Sequence, residues 1–310
     1  MSWKPAPIVI ASRLSRLALW QSGFIKSELQ RLYPACQVSV LGLTTRGDRI
    51  LDVSLSKIGG KGLFVRELES ALADGRADIA VHSAKDVPME LPPGMVIAAF
   101  PKRADPRDCL VSNVCGSPGE LPPGSVIGTS SLRREAQLRE RHPALRVAPL
   151  RGNVDTRLAK LDRGDYQALI LAAAGLVRLG LGERIRCMID AAHSLPAPGQ
   201  GALAIECLAG RSELIEMLSS LNCPQTGQCV QAERAVSRAL SGNCQLPLGA
   251  FGEIDGNDIR LRGVVAASDG THVIRAEARG PASHPEELGD RLARMLRDRG
   301  ADRILASLVR

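Results

Sequence analysis

The order of apolar and polar positions in the first two hundred residues predicts strands that alternate with helices. Short apolar runs between turn residues predict strands, whereas longer stretches with one apolar face predict helices. The predicted strands span residues 7–11, 38–44, 77–82, 95–100, 125–128 and 168–172. The predicted helices span residues 12–32, 63–73, 129–141 and 151–163, and a short one contains Arg178. This alternation is typical of α/β proteins.

The pattern changes after about residue 222. A helix over 226–240 is followed by three strand-like segments and by a helix over 285–299. Asp255-Gly256 and Asp269-Gly270, which separate these segments, are hairpin turn signals. We therefore predict a small α+β unit with a three-stranded antiparallel sheet. Its strands are expected at residues 248–254, 259–267 and 272–280.

Two proline-containing segments, 101–106 and 194–201, have the composition of hinges. A chain that crosses twice between two lobes forms a cleft that can open and close. The tetrapeptide Leu-Pro-Pro-Gly precedes an apolar strand at both 91–94 and 121–124, which hints at two related lobes. We predict three domains, formed by residues 1–101 with 202–220, by residues 106–195 and by residues 222–310.

Composition restricts the class of protein. Of the 310 residues, 45% are hydrophobic and 24% are charged, which is typical of soluble globular proteins. The longest apolar run is much shorter than a membrane span, so we expect no contact with a membrane. The N-terminus lacks the apolar core of a signal peptide, and the eight cysteines have no framework spacing. We therefore expect a cytoplasmic protein with free thiols.

The net charge of +7 indicates anionic partners. Base-stacking surfaces are scarce among two Trp, two Tyr and four Phe, so we expect no nucleic acid. Arginines stand where strands end and helices begin, and as a set they favour a small ligand with several carboxylates. Each arginine taken alone is more often a solvated surface charge. The set is Arg13, Arg16, Arg133, Arg134, Arg151, Arg157 and Arg178.

Lys85-Asp86 directly follows the strand 77–82, whose pattern indicates burial on both faces. A carboxylate beside cations stays ionised and can stabilise a developing positive charge or direct a proton. A turn-forming role before Pro88 is the alternative. His82, at the end of the same strand, is expected to be a hydrogen-bonded core residue rather than a metal ligand, and no metal site is expected.

The glycine-rich loop over 59–62 lacks the spacing of a phosphate-binding loop. We expect either a lid that brings Lys57 and Lys61 to an anionic ligand or a plain mobile loop. A second loop, 241–249, carries Cys244. No CxxC pair and no histidine at metal spacing lie near it, so its thiol is either a point of covalent attachment or a bystander.

Seven segments, in order and spread over nearly the whole chain, resemble the porphobilinogen deaminase family. Their length and specificity exclude chance matching. They are Thr45–Asp48 (TRGD), Gly59–Phe64 (GGKGLF), Ala77–Pro88 (ADIAVHSAKDVP), Gly128–Arg134 (GTSSLRR), Leu150–Asn153 (LRGN), Gly199–Gly201 (GQG) and Gly242–Gln245 (GNCQ).

The resemblance implies a transferase of tetrapyrrole and haem biosynthesis. Such an enzyme joins four porphobilinogen units head to tail, releases four ammonias and hydrolyses off hydroxymethylbilane. The implied fold has two lobes like type II periplasmic binding proteins and a C-terminal domain that carries a cofactor loop. The family is usually monomeric.

The resemblance also implies a dipyrromethane cofactor, made from the substrate and joined by a thioether to Cys244. Asp86 resembles the family's catalytic aspartate, Ser83 and Gln200 line the cleft, and Lys57 and Lys61 fall in the family's mobile loop. The implied ligands of the cofactor and substrate carboxylates are Arg13, Ser15, Lys85, Thr129, Ser131, Arg133, Arg134, Arg151, Arg157 and Arg178.

Two departures from the family pattern leave these roles in place. Arg16 stands where proline is common, and Asn243 stands where glycine is common, although Asn tolerates left-handed backbone angles. Two other functions compete with the enzyme. A two-lobed protein that only binds a small anion would explain the arginines but not Asp86 together with the Cys244 loop. A nucleic-acid binder would explain only the net charge.

Overall fold

The computed structural model describes residues 6–49, 62–240 and 246–307. Its strands are β1 (Ile8–Arg13), β2 (Val38–Leu43), β3 (Ile79–Ser83), β4 (Met95–Ala99), β5 (Asp108–Ser112), β6 (Val126–Gly128), β7 (Arg146–Ala148), β8 (Ala168–Ala172), β9 (Ile185–Ile189), β10 (Leu203–Leu208), β11 (Leu248–Asp255), β12 (Asp258–Ala266) and β13 (Val273–Pro281). Its α-helices are α1 (Arg16–Leu32), α2 (Arg46–Arg49), α3 (Arg66–Ala73), α4 (Leu132–Arg141), α5 (Val154–Asp162), α6 (Ala173–Arg178), α7 (Ser212–Ser219), α8 (Pro224–Leu240), α9 (Pro285–Asp298) and α10 (Ala301–Ser307).

Two five-stranded sheets share one topology. The first, with its helices called lobe 1, has the order β2-β1-β3-β10-β4, and the second, called lobe 2, has the order β7-β6-β8-β5-β9. In each sheet three parallel strands are followed by an antiparallel strand that enters from the other lobe, β10 or β5. The chain therefore passes between the lobes twice, and the segments 101–106 and 194–201 are called the first and second hinge.

Helices begin at the carboxyl ends of the parallel strands, and polar side chains cap them. Ser15 Oγ accepts a hydrogen bond from Ala18 N (3.3 Å) at the start of α1. Ser131 Oγ accepts one from Arg134 N (3.5 Å) at α4, and Asn153 Oδ1 accepts one from Thr156 N (2.9 Å) at α5. Such caps satisfy N–H groups that a helix leaves open, so each strand-to-helix turn is held in place.

The third unit is a meander of β11, β12 and β13 covered by α8 and α9. The approach of the two helices depends on Gly289, because a Cβ there would overlap Ala232 and Ala235 of α8. Leu261, Leu292 and sixteen other buried side chains close the core between helices and sheet. The predicted three-stranded antiparallel sheet is confirmed.

The α/β class with two lobes and a small C-terminal unit is confirmed, and the predicted strands and helices recur with ends shifted by a few residues. Four strands were not predicted: β5, β7, β9 and β10. The helices α2, α7 and α10 were not predicted either, and α9 therefore does not end the third unit as expected. Strands of three to six residues carry too little periodicity for a sequence pattern to separate them from loops.

Candidate active site

A buried carboxylate, Asp108, joins the hinges to lobe 2. It begins β5, has no exposed surface and receives Arg133 Nη1 at 2.7 Å and Arg134 Nε at 3.0 Å. Ser194 Oγ (2.8 Å) and Gln200 Nε2 (2.9 Å) from the second hinge donate to the same carboxylate. Burial alone would raise the pKa of Asp108, but the two guanidiniums outweigh it and hold that pKa well below its usual range.

Gln200 connects this centre to lobe 1. Its Oε1 lies 3.4 Å from Lys85 Nζ and 3.4 Å from Arg134 Nη2, so residues that follow β3 and β6 meet at one point. Lys85 is half-buried, and its pKa falls to about 8 because of burial and the nearby charge of Arg134, although Asp86 and Asp108 oppose the fall. The carboxyl ends of the strands of the two lobes therefore face each other.

Further arginines of lobe 2 line the same cleft. Arg157 Nε donates to the Gly152 carbonyl oxygen at 2.8 Å, and its pKa falls to about 10 through burial and the charge of Arg134, while the charge of Asp86 opposes the fall. Burial also lowers the pKa of Arg178 to about 10. Because Asp86 belongs to lobe 1, this interaction acts across the cleft.

Arg178 and Arg151 complete this group of cations. Arg178 Nη2 donates to the carbonyl oxygen of Gly201 in the second hinge at 2.7 Å, and its guanidinium lies 5.8 Å from the ring centre of Trp20 on α1. Burial lowers the pKa of Arg151, which precedes α5. Burial of a cation is costly unless negative charge compensates it, so this wall of the cleft favours an anionic ligand.

On the lobe 1 side, Asp86 is exposed at the end of a short 3₁₀ turn that follows β3. Together with Arg13, Ser15 and Ser83 it lines a cavity of about 60 Å³. Ser83 Oγ accepts a hydrogen bond from Gln21 Nε2 (2.8 Å), which fixes the wall of the cavity beside the carboxylate.

Two residues without an assigned role in the sequence analysis hold Arg13. Its guanidinium forms an ion pair with Asp48 and lies 4.4 Å from the ring centre of Phe64. Thr45 Oγ1 donates to Asp48 at 2.7 Å, so the carboxylate is itself oriented. Both positions lie within the segments that carry the family resemblance, which is the signal that could have singled them out.

Thr129 and Ser131 lie in the turn between β6 and α4. Thr129 is buried, and its Oγ1 accepts a hydrogen bond from Ser131 N at 3.2 Å. Arg133, by contrast, is almost fully buried and donates to Asp108 and to the Leu195 carbonyl oxygen at 2.6 Å. Its side chain therefore points to the hinge, and direct contact with a ligand carboxylate stays a prediction.

The remaining predicted residues, Lys57, Lys61 and Cys244, lie outside the described residues. His82 is buried and hydrogen-bonded to Glu206 at 2.9 Å, in agreement with its expected place in the core. Within residues 6–49, 62–240 and 246–307, no group of three His, Cys, Asp or Glu side chains could hold a metal ion. The arrangement suits charge stabilisation and proton handling around a ligand with several carboxylates.

Two family models match the chain. Residues 8–216 match "Porphobilinogen deaminase, dipyromethane cofactor binding domain", and residues 227–298 match "Porphobilinogen deaminase, C-terminal domain". A porphobilinogen deaminase of Methylobacillus flagellatus is 58% identical over 304 residues, which cover 98% of both chains. One of Paraburkholderia phymatum is 59% identical over 307 residues, which cover 98% of this chain and 94% of the relative.

A solved structure, the methionine binding protein MetQ, overlaps 76% of this chain and 94% of its own, with 11% identity and a TM-score of 0.45. A TM-score of 0.45 does not establish a shared fold, and the fold described above is defined by the strand pairings of the chain itself. Among the described residues, every helix is too short or too polar to cross a membrane.

Proposed function

This chain belongs to the porphobilinogen deaminase family, and from that premise we propose which of its residues hold the cofactor and which serve the reaction. The enzyme is a transferase that deaminates four porphobilinogen units, joins them head to tail on a dipyrromethane cofactor and releases hydroxymethylbilane. It is therefore a catalyst of tetrapyrrole synthesis, and the alternative of a protein that only binds a small anion is wrong.

The assignment of the ligand site rests on the burial and the hydrogen-bond partners of three of its cations. Lys85, Arg157 and Arg178 donate to amide or carbonyl oxygens, and no ion pair joins them to a carboxylate of the described residues. Burial lowers the pKa of all three, so each gains from a ligand that brings negative charge. A chain of pyrroles, with an acetate and a propionate on each ring, fits this requirement.

Cys244 is the proposed attachment point, through a thioether. The cysteine lies outside the described residues, but the strand that follows it is anchored beside the site. Ala250 N of β11 donates to the Pro196 carbonyl oxygen at 3.1 Å, one residue from the carbonyl of Leu195 that binds Arg133. When bound, the cofactor supplies the free pyrrole carbon to which the next unit is joined.

Asp86 is the proposed catalytic residue. An exposed carboxylate in the cleft can accept hydrogen bonds from pyrrole N–H groups and stabilise positive charge that develops on a ring. Its charge also acts across the cleft on Arg157, whose lowered pKa it partly opposes. Ser83 and Gln200 are proposed to line the same cleft, and Lys57 and Lys61, which lie outside the described residues, are proposed to bind the anionic ligand.

The other side chains form the proposed carboxylate-binding set. Arg13 is oriented by Asp48, while Arg134 is oriented by Asp108 and Gln200. The proposed set is Arg13, Ser15, Lys85, Thr129, Ser131, Arg133, Arg134, Arg151, Arg157 and Arg178.

The proposal also includes the location, the oligomeric state, the absence of nucleic-acid binding and the domain division of the protein. The protein is a cytoplasmic monomer that binds no nucleic acid, and the thiols of its described cysteines are free, which suits a reducing compartment. Its domains are 1–101 with 202–220, 106–195 and 222–310, with hinges near 101–106 and 194–201. The three sheets support this division, because one falls within each unit.

Replacement of Cys244 by Ser tests the attachment. We expect a folded protein without the added mass of two porphobilinogen units less two ammonias, and nearly no activity, because a hydroxyl is a much weaker nucleophile than a thiolate. Intact-mass spectrometry with peptide mapping measures this directly. Cys223→Ser is the matched control and keeps both the added mass and the activity. Full activity of Cys244→Ser would contradict the assignment.

A further inference from the structure

Three titratable side chains lie buried behind the cavity of Asp86. His82 Nε2 and Glu206 Oε2 are 2.9 Å apart, with 5% and 0% of these residues exposed. Glu69 of α3 is 9% exposed, and its pKa is raised by burial and by the charge of Glu206. Glu69 Oε1 and Glu206 Oε1 are buried without a hydrogen-bond partner in the described part of the chain.

The cluster of His82, Glu206 and Glu69 carries little compensating charge. Besides each other, the charged groups that face Glu69 are limited, among the described residues, to Arg66 on its own helix. Two buried carboxylates cannot both stay ionised at low cost, so the cluster favours retention of a proton. An ion pair built only for stability would instead satisfy both oxygens, as Asp108 does with its arginines.

His82 also borders the reaction site. It lines the cavity of about 60 Å³ that Asp86, Ser83 and Arg13 share. This exceeds the roughly 10–15 Å³ that one water molecule needs, so the cavity has room for water between His82 and Asp86. His82 belongs to β3, and Asp86 lies four residues later in the turn that follows this strand. The buried cluster therefore lies behind the cleft at the same end of β3.

We propose that His82, held by Glu206 and backed by Glu69, is a proton-holding and positioning residue for the condensation. In each condensation the C–N bond of a protonated aminomethyl group breaks with its electron pair on nitrogen, which releases ammonia, and a C–C bond forms to the pyrrole carbon. That carbon then loses its hydrogen as a proton. The proton passes through water to the His82 cluster and then to the released ammonia, which departs as ammonium, so atoms and charge balance.

Glu206→Gln in the full-length, cofactor-loaded enzyme tests this proposal, which rests on the proposed role of Asp86. The amide keeps the shape but removes the negative charge beside the ring, so the ¹⁵N NMR signals of the His82 ring should shift. We expect kcat to fall by about tenfold, its pH profile to move with the ring signals, and KM to stay within about twofold.

Glu206→Asp, which restores the carboxylate, should recover part of the rate, and exposed Glu216→Gln on α7 is the matched control that changes nothing. A shift of the ring signals with an unmoved pH profile of kcat would overturn the proposal, because the pair would then be purely structural. Unchanged ring signals would overturn it as well.

Asp86→Asn separates this inference from the proposed function. Full activity of that variant would refute the site itself, whereas the ring titration of His82 would still report on the cluster.

Glu69→Gln is the second variant and does not remove the partner of His82. Because the raised pKa of Glu69 makes its charged form costly, this variant should gain thermal stability over the unmutated protein as pH rises above about 4.3, the unperturbed value. A pH-independent difference would show that Glu69 holds no proton.

Discussion

Each lobe has a buried acid on the strand that is fourth in its sheet, but the charge of this acid is balanced differently in the two lobes. β5 of lobe 2 and β10 of lobe 1 are the antiparallel strands that enter from the other lobe. Asp108 of β5 lies opposite Ala172, the last residue of β8, whereas Glu206 of β10 lies opposite Ala80, deeper along β3. The acid of lobe 2 thus lies at the edge of the cleft and the acid of lobe 1 lies behind it.

This difference in position goes with a difference in partner. Asp108 binds two guanidiniums, which keep their charge at any ordinary pH, so the electrostatics of lobe 2 are fixed. Glu206 binds the imidazole of His82 instead of a guanidinium, and its charge raises the pKa of the neighbouring Glu69. One fold therefore provides an anion-binding wall in lobe 2 and the proposed proton-holding cluster in lobe 1.

The largest predicted effect belongs to Asp108→Asn. Removal of this charge leaves Arg133 and Arg134 buried without a counter-ion, so we expect the free energy of unfolding to fall by about 3–5 kcal/mol. The folded-state pKa of Asp108 is lowered, so its contribution is present above about 3.9 and is lost as pH falls through the folded value. Urea unfolding at pH 7 and pH 3 measures both effects.

Asp105→Asn is the matched control for that experiment. Asp105 lies three positions before Asp108 and forms an ion pair with Arg107, so this variant also removes a carboxylate that binds an arginine. Here, however, both side chains are more than a third exposed. A loss below about 1 kcal/mol is expected for such a pair. Equal losses for the two variants would show that burial does not distinguish the charge centre of lobe 2.

A middle-sized effect is expected at Lys85, the lobe 1 cation that faces lobe 2. Its pKa of about 8, lowered by burial and by Arg134, means that the folded protein carries this charge at a cost below pH 8. Lys85→Met should therefore raise the free energy of unfolding at pH 7 by about 1–2 kcal/mol, discounted for partial exposure, while KM for porphobilinogen rises.

The pH dependence of that gain is the sharper measurement. Between the folded pKa of about 8 and the unfolded value of about 10.4, the unfolded chain binds the proton more strongly. The stability of the unmutated protein consequently rises over this range, and the advantage of Lys85→Met shrinks. An advantage that stays constant from pH 7 to pH 10 would mean that the charge of lobe 1 is as fixed as that of lobe 2.

The strands that lead into the cleft could be predicted from the sequence, because β8 is a continuous apolar run and β3 is apolar up to His82. It also allowed the cleft cations to be located at strand ends, and Arg134, Lys85 and Gln200 do meet there. The buried acids were not predicted. Asp108 follows a hinge and is the first residue of a five-residue strand, so local pattern does not separate it from a loop aspartate.

Glu206 offered a signal that went unused, since it is a lone charge within the apolar run 202–208. Charged side chains are rarely buried without a partner, so such a residue predicts a buried partner on a neighbouring strand. The repeated Leu-Pro-Pro-Gly indicated two related lobes, which the shared strand order confirms. Its two copies nevertheless precede β4, an edge strand, and β6, an inner strand, so they do not occupy equivalent places.

The smallest predicted effect concerns an ion pair between the lobes. Arg16 Nη1 on α1 lies 2.9 Å from Asp155 Oδ1 on α5, and its Nη2 donates to the Leu179 carbonyl oxygen at 3.2 Å. About half of each charged side chain is exposed, at 58% and 44%. Water screens such a pair, so a double-mutant cycle of Arg16→Ala and Asp155→Ala in urea unfolding should give a coupling energy of about 0.2–1 kcal/mol.

Arg16→Pro provides a control that the family pattern offers. Arg16 is the first residue of α1 after its cap Ser15, a position where proline fits a helix well, so this variant removes the ion pair and leaves the helix intact. It should match Arg16→Ala in its response to Asp155→Ala, and added salt should abolish the coupling of the Ala pair. A coupling energy above about 3 kcal/mol would equal the loss expected when a buried pair is broken. It would contradict the expectation that exposed ion pairs contribute much less than buried ones.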